Sequence, residues 1–252
     1  MHMKIPEQRI QDEKEFHNNI FRQQKRSIVG KFYVINSTIE DDFDKIIFQS
    51  PNGKSILEYG CGMGKRLFEL SRRGGICHGI DISDFAIDTL DKKARQEKLA
   101  IHYSVMNAEE ITFKNNSFDL IYGSGILHHL DLDKCFQGIA SKLKENGKAI
   151  FIEPLGHNYF INRYRNKTPD LRTPDEHPLL MNDFKKARKY FRSVNLKFYF
   201  LTILALPVVF KNNVSPWMMK SFNAIDRMLF TILPQLRKYA WQVLVVFENP
   251  KK

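Results

Sequence analysis

The chain has 252 residues, 43% apolar and 27% charged, which suits a folded globule with a full core and excludes a disordered or collagenous polymer. Lysine and arginine outnumber aspartate and glutamate 39 to 28, a net charge of +11. That excess admits a nucleic acid, an anionic membrane or an acidic ligand, and equally a set of well-solvated helix faces.

Met1 to Gln24 is rich in charge and lacks an apolar run of the export type, so cytoplasmic residence is expected. Pro6 to Gly30 has only sparse apolar positions, Ile10, Phe16, Ile20 and Phe21, which predicts one or two surface helices. Lys31 to Asn36 leads into another helix, Glu40 to Gln49, and Pro51-Asn52-Gly53 is a turn. From Ser55 to Glu153 short apolar strands alternate with helices. Strands are predicted over Ser55–Tyr59, Ile76–Ile80, Ile101–Val105, Phe118–Tyr122 and Lys148–Ile152, with helices over Lys65–Arg73, Asp84–Glu97 and Lys134–Lys142. Alternation at this spacing predicts a doubly wound α/β fold with a mostly parallel sheet and helices on both faces. Cys61, Cys77 and Cys135 sit in these core-like segments and leave one unpaired, so no disulfide framework is expected.

Beyond Pro154 the pattern loosens. Leu155 to Pro178 reads as a long, proline-punctuated loop, followed by a helix over Leu179–Phe191 and a sixth strand beginning at Leu196 and ending near Thr202. Ser215-Pro216-Trp217 opens a helical stretch, Met218 to Leu233, with Met219, Phe222, Ile225, Met228, Leu229 and Ile232 on roughly one stripe. Ala240 to Glu248 is the closing strand. The insertion between the last two strands is expected to cap a substrate pocket, and peripheral contact with a membrane is the sharper reading of its apolar helix. The longest uncharged run, Phe198 to Phe210, is shorter than the roughly 20 residues a spanning helix needs. The expected organisation is an N-terminal helical cap over 1–50, a ligand-binding core over 51–154, and a substrate-side loop, cap helices and last two strands over 155–252.

The chemistry begins at Glu58-Tyr59-Gly60-Cys61-Gly62-Met63-Gly64, where a buried strand runs into a glycine-rich turn. Glycines let a ligand approach the main chain closely, and the following helix aims its amides at it. Asp81 ends the second strand about 20 residues on, the position from which a carboxylate hydrogen-bonds a ribose. A nicotinamide dehydrogenase needs a third glycine where Lys65 stands, and no Gly-Lys-Ser/Thr closes the turn as a P-loop requires. Glu58 would repel pyrophosphate and suit a cation. A ribose-bearing, phosphate-free, positively charged cofactor is implied, and S-adenosylmethionine has all three properties. Glu58, Asp81, Asn107, Ser124 and Glu153 all fall at strand carboxyl ends, where open α/β sheets bind ligands.

Over Ser55 to about Pro154 the chain resembles the class I S-adenosylmethionine-dependent methyltransferases that act on small molecules. The resemblance implies their seven-stranded sheet. It gives Glu58, Gly60, Cys61, Gly62, Asp81 and Ile82 the cofactor loop and ribose positions, and places Asn107-Ala108-Glu109 beside the adenine, where Asp-Ala-Glu is commoner. Gly123-Ser124-Gly125-Ile126-Leu127-His128-His129-Leu130 resembles the segment lining the methyl-transfer site. N-terminal helices of the family often fold over the cofactor, which makes Tyr33 a candidate contact. His128 and His129 are candidate bases, one of them facing the pocket, with Glu153 a candidate to orient the ring. His157, Tyr159, Arg163 and the Thr173–Pro178 turn, His177 above all, are candidate substrate contacts. No metal site is expected there, because Asp175, Glu176 and His177 are consecutive.

The expected acceptor is a small molecule methylated on O or N, its apolar part motivated by Phe198, Tyr199, Phe200, Trp217, Met218 and Met219. The alternative is an RNA or protein methyltransferase using the basic run Lys185 to Lys189. Gly123-Ser124-Gly125-Ile126 stands where enzymes that methylate base amino groups have Asn/Asp-Pro-Pro-aromatic, which counts against that subtype. A methyltransferase-like fold without catalysis is a third reading.

Overall fold

The structure, a computed structural model, describes residues 6–23, 35–169, 172–173, 176–210 and 213–252. Its centre is a seven-stranded sheet in the order β3-β2-β1-β4-β5-β7-β6, formed by β1 (Ser55–Tyr59), β2 (Ile76–Asp81), β3 (Ile101–Val105), β4 (Phe118–Ser124), β5 (Leu143–Pro154), β6 (Phe191–Tyr199) and β7 (Gln242–Pro250). β1 to β5 pair in parallel, and β7 lies antiparallel between β5 and β6. The strand order reverses between β1 and β4, which opens a crevice at their carboxyl ends.

Helices cover both faces: α1 (Pro6–Gln23), α2 (Ser37–Ile47), α3 (Lys65–Arg72), α4 (Asp84–Gln96), α5 (Leu132–Lys142), α6 (Tyr159–Asn166), α7 (Met181–Ala187), α8 (Ala205–Val209) and α9 (Pro216–Ile232). Each face holds its own core. One gathers Leu57, Phe136, Phe151 and Phe247; the other gathers Phe43, Ile56, Leu67 and Tyr122. Consistent with its position before a polar-apolar run, Ser83 caps α4, its Oγ accepting from the Ala86 amide at 3.1 Å.

Three expectations are corrected. The Leu155–Pro178 segment contains α6, started by Asn158, whose Oδ1 accepts from the Ile161 amide at 3.1 Å. β6 begins five residues before the predicted start and ends at Tyr199, because Phe200 takes φ +67°, outside the extended region. The insertion between β6 and β7, expected to cap the substrate pocket, contributes none of its described residues to the two clefts described below, and on α9 Ile225, Met228 and Ile232 are exposed while Asp226 is buried. Asp226 accepts from the amides of Leu201 and Thr202 at 2.9 and 2.8 Å. No helix among the described residues is long and apolar enough to cross a membrane.

Candidate functional site

The glycine turn leaves β1 with Gly60 at φ +70° and Gly62 at φ +47°. A Cβ on Gly60 would lie 2.9 Å from Ile126 Cδ1, and one on Gly62 3.3 Å from the Phe21 ring. The bare backbone is therefore required by conformation and by space. Asp81 braces the turn from the tip of β2: its Oδ2 accepts from the Gly62 amide at 2.8 Å and its Oδ1 from the Ser83 amide at 2.9 Å. Glu58 is 8% exposed, and its Oε2 has no hydrogen-bond partner among the described residues. Burial pushes its carboxyl up to about 8 against the opposing pull of Arg66. The buried Tyr122 hydroxyl beside it pulls the same way as Arg66, and is itself pushed up by burial and by Glu58.

Above the turn lies a cleft enclosing about 740 Å³, its open mouth included. Gly60, Gly62, Asp81, Ile82, Asn107, Ala108, Glu109, Ser124 and His129 line it as the sequence predicts. Asn107 Oδ1 accepts from the Glu109 amide at 3.0 Å, which folds that corner. Cys61 stands behind the wall, its amide donating to Ile80 O at 2.8 Å and its thiol pushed up by burial. Tyr33 lies outside the described residues.

The other wall is α1, contributing Arg9, Ile10, Glu13, His17 and Phe21. Its placement agrees with an N-terminal helix that caps the cleft. Arg9 pairs with the Glu109 carboxylate and donates from Nη1 to His129 O at 2.9 Å. Asn18 Oδ1 accepts from Ser83 Oγ at 2.5 Å, and Lys14 pairs with Asp84 at 2.8 Å. Glu109 thus lines the cleft with its carboxylate committed to α1 and to the Asp131 amide, at 2.8 Å.

The two adjacent histidines divide their work. His128 turns away from the cleft, its Nδ1 2.7 Å from Glu153 Oε2, and Glu153 Oε1 accepts from the amides of Ile126 and Leu127 at 3.0 and 2.8 Å. Burial holds the His128 imidazole below its usual range despite Glu153. His129 faces the cleft, its Nδ1 3.4 Å from Glu13 Oε2 and 3.5 Å from Thr173 Oγ1. Glu13 also accepts from Thr173 Oγ1, and its Oε2 lies 3.4 Å from His17 Nε2. Burial alone would raise the Glu13 carboxyl, but His129, His17 and Thr173 together hold it well below the carboxylate range. The sequence missed Glu13 and His17, whose helical i, i+4 spacing was the one available signal.

A second cleft of about 1300 Å³, mouth included, opens beside these histidines, with Asn162, Arg165, Arg172, Thr173, Glu176 and His177 on its walls. Arg165 pairs with Glu176, whose Oε1 is 3.7 Å from His128 Nε2. His177 is therefore at a cleft, as expected, and its amide donates to His128 O at 2.9 Å. The other substrate candidates are corrected. His157 Nε2 accepts from the Met181 amide at 3.3 Å and so serves the start of α7. Tyr159 and Arg163 lie on the exposed side of α6, because Ile161 claims its buried side, and neither lines these two clefts.

The donor set fits S-adenosylmethionine. Bare backbone and the Asp81 carboxylate stand where a nucleoside would lie, and the Glu58 carboxyl, held neutral by burial, would take up its charge against a cation such as an ammonium. Arg9, the one lysine or arginine among the described lining residues, is already paired. Among the described lining residues no free lysine or arginine is left to take a phosphate.

Residues 57–151 match the family model described as a methyltransferase domain. A ubiquinone biosynthesis O-methyltransferase of Coxiella burnetii is 32% identical over 108 residues, 42% of this chain and 46% of that protein. Phosphoethanolamine N-methyltransferase 2 of Caenorhabditis elegans is 30% identical over 110 residues, 42% of this chain and 25% of that protein. The chain spans less than half the length of these curated relatives. Among solved structures, Haemonchus contortus phosphoethanolamine N-methyltransferase 2, in complex with phosphomonomethylethanolamine and S-adenosylhomocysteine, superposes with TM-score 0.64 at 17% identity, covering 94% of this chain and 60% of that one. Geranyl diphosphate C-methyltransferase from Streptomyces coelicolor A3(2) gives 0.59 at 14%, covering 84% and 80%. Residues 57–151 thus match a methyltransferase domain, and the chain shares its fold with these solved structures.

Proposed function

We propose that the chain transfers a methyl group from S-adenosylmethionine to an oxygen or nitrogen of a small, partly apolar acceptor. The observation that carries this reading is the cradle at the sheet tips: glycine backbone flanked by Glu58 and Asp81, under a cleft with no free lysine or arginine among the described lining residues. Asp81 would hold the ribose, Asn107 and Ala108 the adenine edge, and Glu58 the amino group. When bound, the cofactor supplies a methyl on a positively charged sulfur. The residues of this chain align the acceptor and exclude water, an orientation effect worth up to about 7–11 kcal/mol. Ile10, Phe21, Met106, Ile126 and Leu130 give the cleft an apolar lining, which suits the apolar part of the acceptor.

His129 is the imidazole positioned to take a proton from the acceptor. Its Nδ1 edge faces Glu13, so the ring is oriented by a carboxylate and Nε2 is left to receive the proton. His128, tied to Glu153 behind the wall, acts as a positioning residue that fixes the turn carrying His129. Calorimetric titration tests the reading. Wild type should bind S-adenosylmethionine and S-adenosylhomocysteine with one site, and Asp81→Ala should lose at least tenfold in affinity. Absence of wild-type binding, or undiminished affinity in Asp81→Ala, would overturn it.

A further inference from the structure

Glu13, His17 and His129 bring three metal-ligating side chains together on the cleft wall, and the chemistry described above uses no ion there. Glu13 and His17 are one turn apart on α1, and His129 comes from the turn after β4. The ligand atoms are Glu13 Oε2, His17 Nε2 and His129 Nδ1. They lie within 4.8 Å of one another, with both nitrogens 3.4 Å from the carboxylate oxygen.

That separation is informative. An N–H···O hydrogen bond settles at about 2.7–3.2 Å, and the His128–Glu153 pair in this same molecule does so at 2.7 Å. Two ligands each about 2.0–2.2 Å from a tetrahedral zinc stand roughly 3.3–3.6 Å apart. The Glu13 contacts match such a coordination edge, a spacing they share with loose ion pairs of this chain such as Lys189–Asp133 at 3.4 Å. Glu13 is 6% exposed, and its Oε2 has no hydrogen-bond partner among the described residues although it points between two imidazoles. Its other oxygen accepts from Thr173 Oγ1, the kind of outer contact that orients a ligating carboxylate. A neighbouring group of His128, His129 and Glu176 also has ligand spacing. There, however, Glu176 is already neutralised by Arg165.

We propose that Glu13, His17 and His129 form a binding site for a divalent transition metal of the zinc class. Two imidazoles and one carboxylate match the donors of open zinc sites, in which three protein ligands leave a fourth position free. All three side chains line the cleft, so that position opens toward it. The ion would join α1 to the turn after β4 and hold the helix across the cleft. The site rests on this geometry alone, and it competes with the proposed base: an imidazole bound to the ion through Nδ1 keeps its proton on Nε2, so His129 takes a proton from an acceptor only when the ion is absent.

Chelator-treated full-length protein titrated with Zn²⁺ by calorimetry, and with Co²⁺ followed by visible absorption, tests the site. One ion should bind per chain, with the absorption bands of a tetrahedral cobalt centre. Glu13→Gln and His17→Gln should each weaken binding at least tenfold and abolish the rise in melting temperature that Zn²⁺ gives wild type. His102→Gln, at the stacked His78–His102 pair, should change neither. Absence of wild-type binding, equal affinity in His17→Gln, or loss of binding in His102→Gln would overturn the proposal. A protein that takes Zn²⁺ but not S-adenosylmethionine would leave this site standing and remove the methyltransferase reading.

Discussion

Glu58→Gln separates a carboxyl kept neutral by burial from one held as an anion. In the folded protein the Glu58 carboxyl is pushed up to about 8 from an ordinary 4.5, with desolvation the largest cause. A folded value above the unfolded one means that the native state binds the proton more tightly. The stabilisation is complete below the unfolded value and is lost as pH rises toward 8. Each pH unit well inside that window removes about 1.4 kcal/mol, so raising the pH from 5.5 to 7.5 should cost wild type about 2–3 kcal/mol through this one group. Glutamine has nearly the shape of the protonated acid and carries no titrating proton. The assay is urea unfolding of both proteins at several pH values, read as the difference in unfolding free energy, which cancels every other titrating group. That difference should move in favour of Glu58→Gln by about 2–3 kcal/mol over the window. A difference that stays flat would show that Glu58 is already ionised in the fold, and the argument that it awaits a cationic partner would fall with it.

The histidines should part company on substitution. His128→Ala leaves the Glu153 Oε2 buried without its ring partner and should cost about 2–4 kcal/mol in chemical denaturation. His129→Ala should cost less than half of that while slowing turnover by roughly 100- to 10,000-fold with cofactor affinity retained; the reverse pattern would exchange their roles. Gly60→Ala places a side chain at φ +70° and 2.9 Å from Ile126 Cδ1. It should lower the unfolding free energy by about 1–2 kcal/mol and weaken cofactor binding in the same calorimetric titration, and an unchanged urea midpoint would contradict the geometry.

What the sequence revealed and what it concealed follow from how far apart the interacting groups lie along the chain. The strand tips were legible because their signals are local. A glycine turn needs its residues in a row, and Asp81 follows at the spacing one β-α-β unit imposes. Each of those residues was found at the cleft or directly beneath it. Glu13 and His17 meet His129 across more than a hundred residues, and Glu13 reaches Thr173 across 160. Nothing in a sparse amphipathic pattern says which face of α1 will be buried, or against what. The same limit hid how α9 lies: apolar periodicity was present, but it says nothing of the buried Asp226 that serves two amides. A satisfied carboxylate can override several partly exposed apolar side chains because burying it unbonded would cost several kcal/mol, whereas each exposed methionine or isoleucine forgoes only about 1.5–3 kcal/mol. Polar groups that must be satisfied at long range decide how the helices lie on this sheet. The covering of the cleft by α1, through Arg9, Glu13 and Asn18, belongs to that same class of contact.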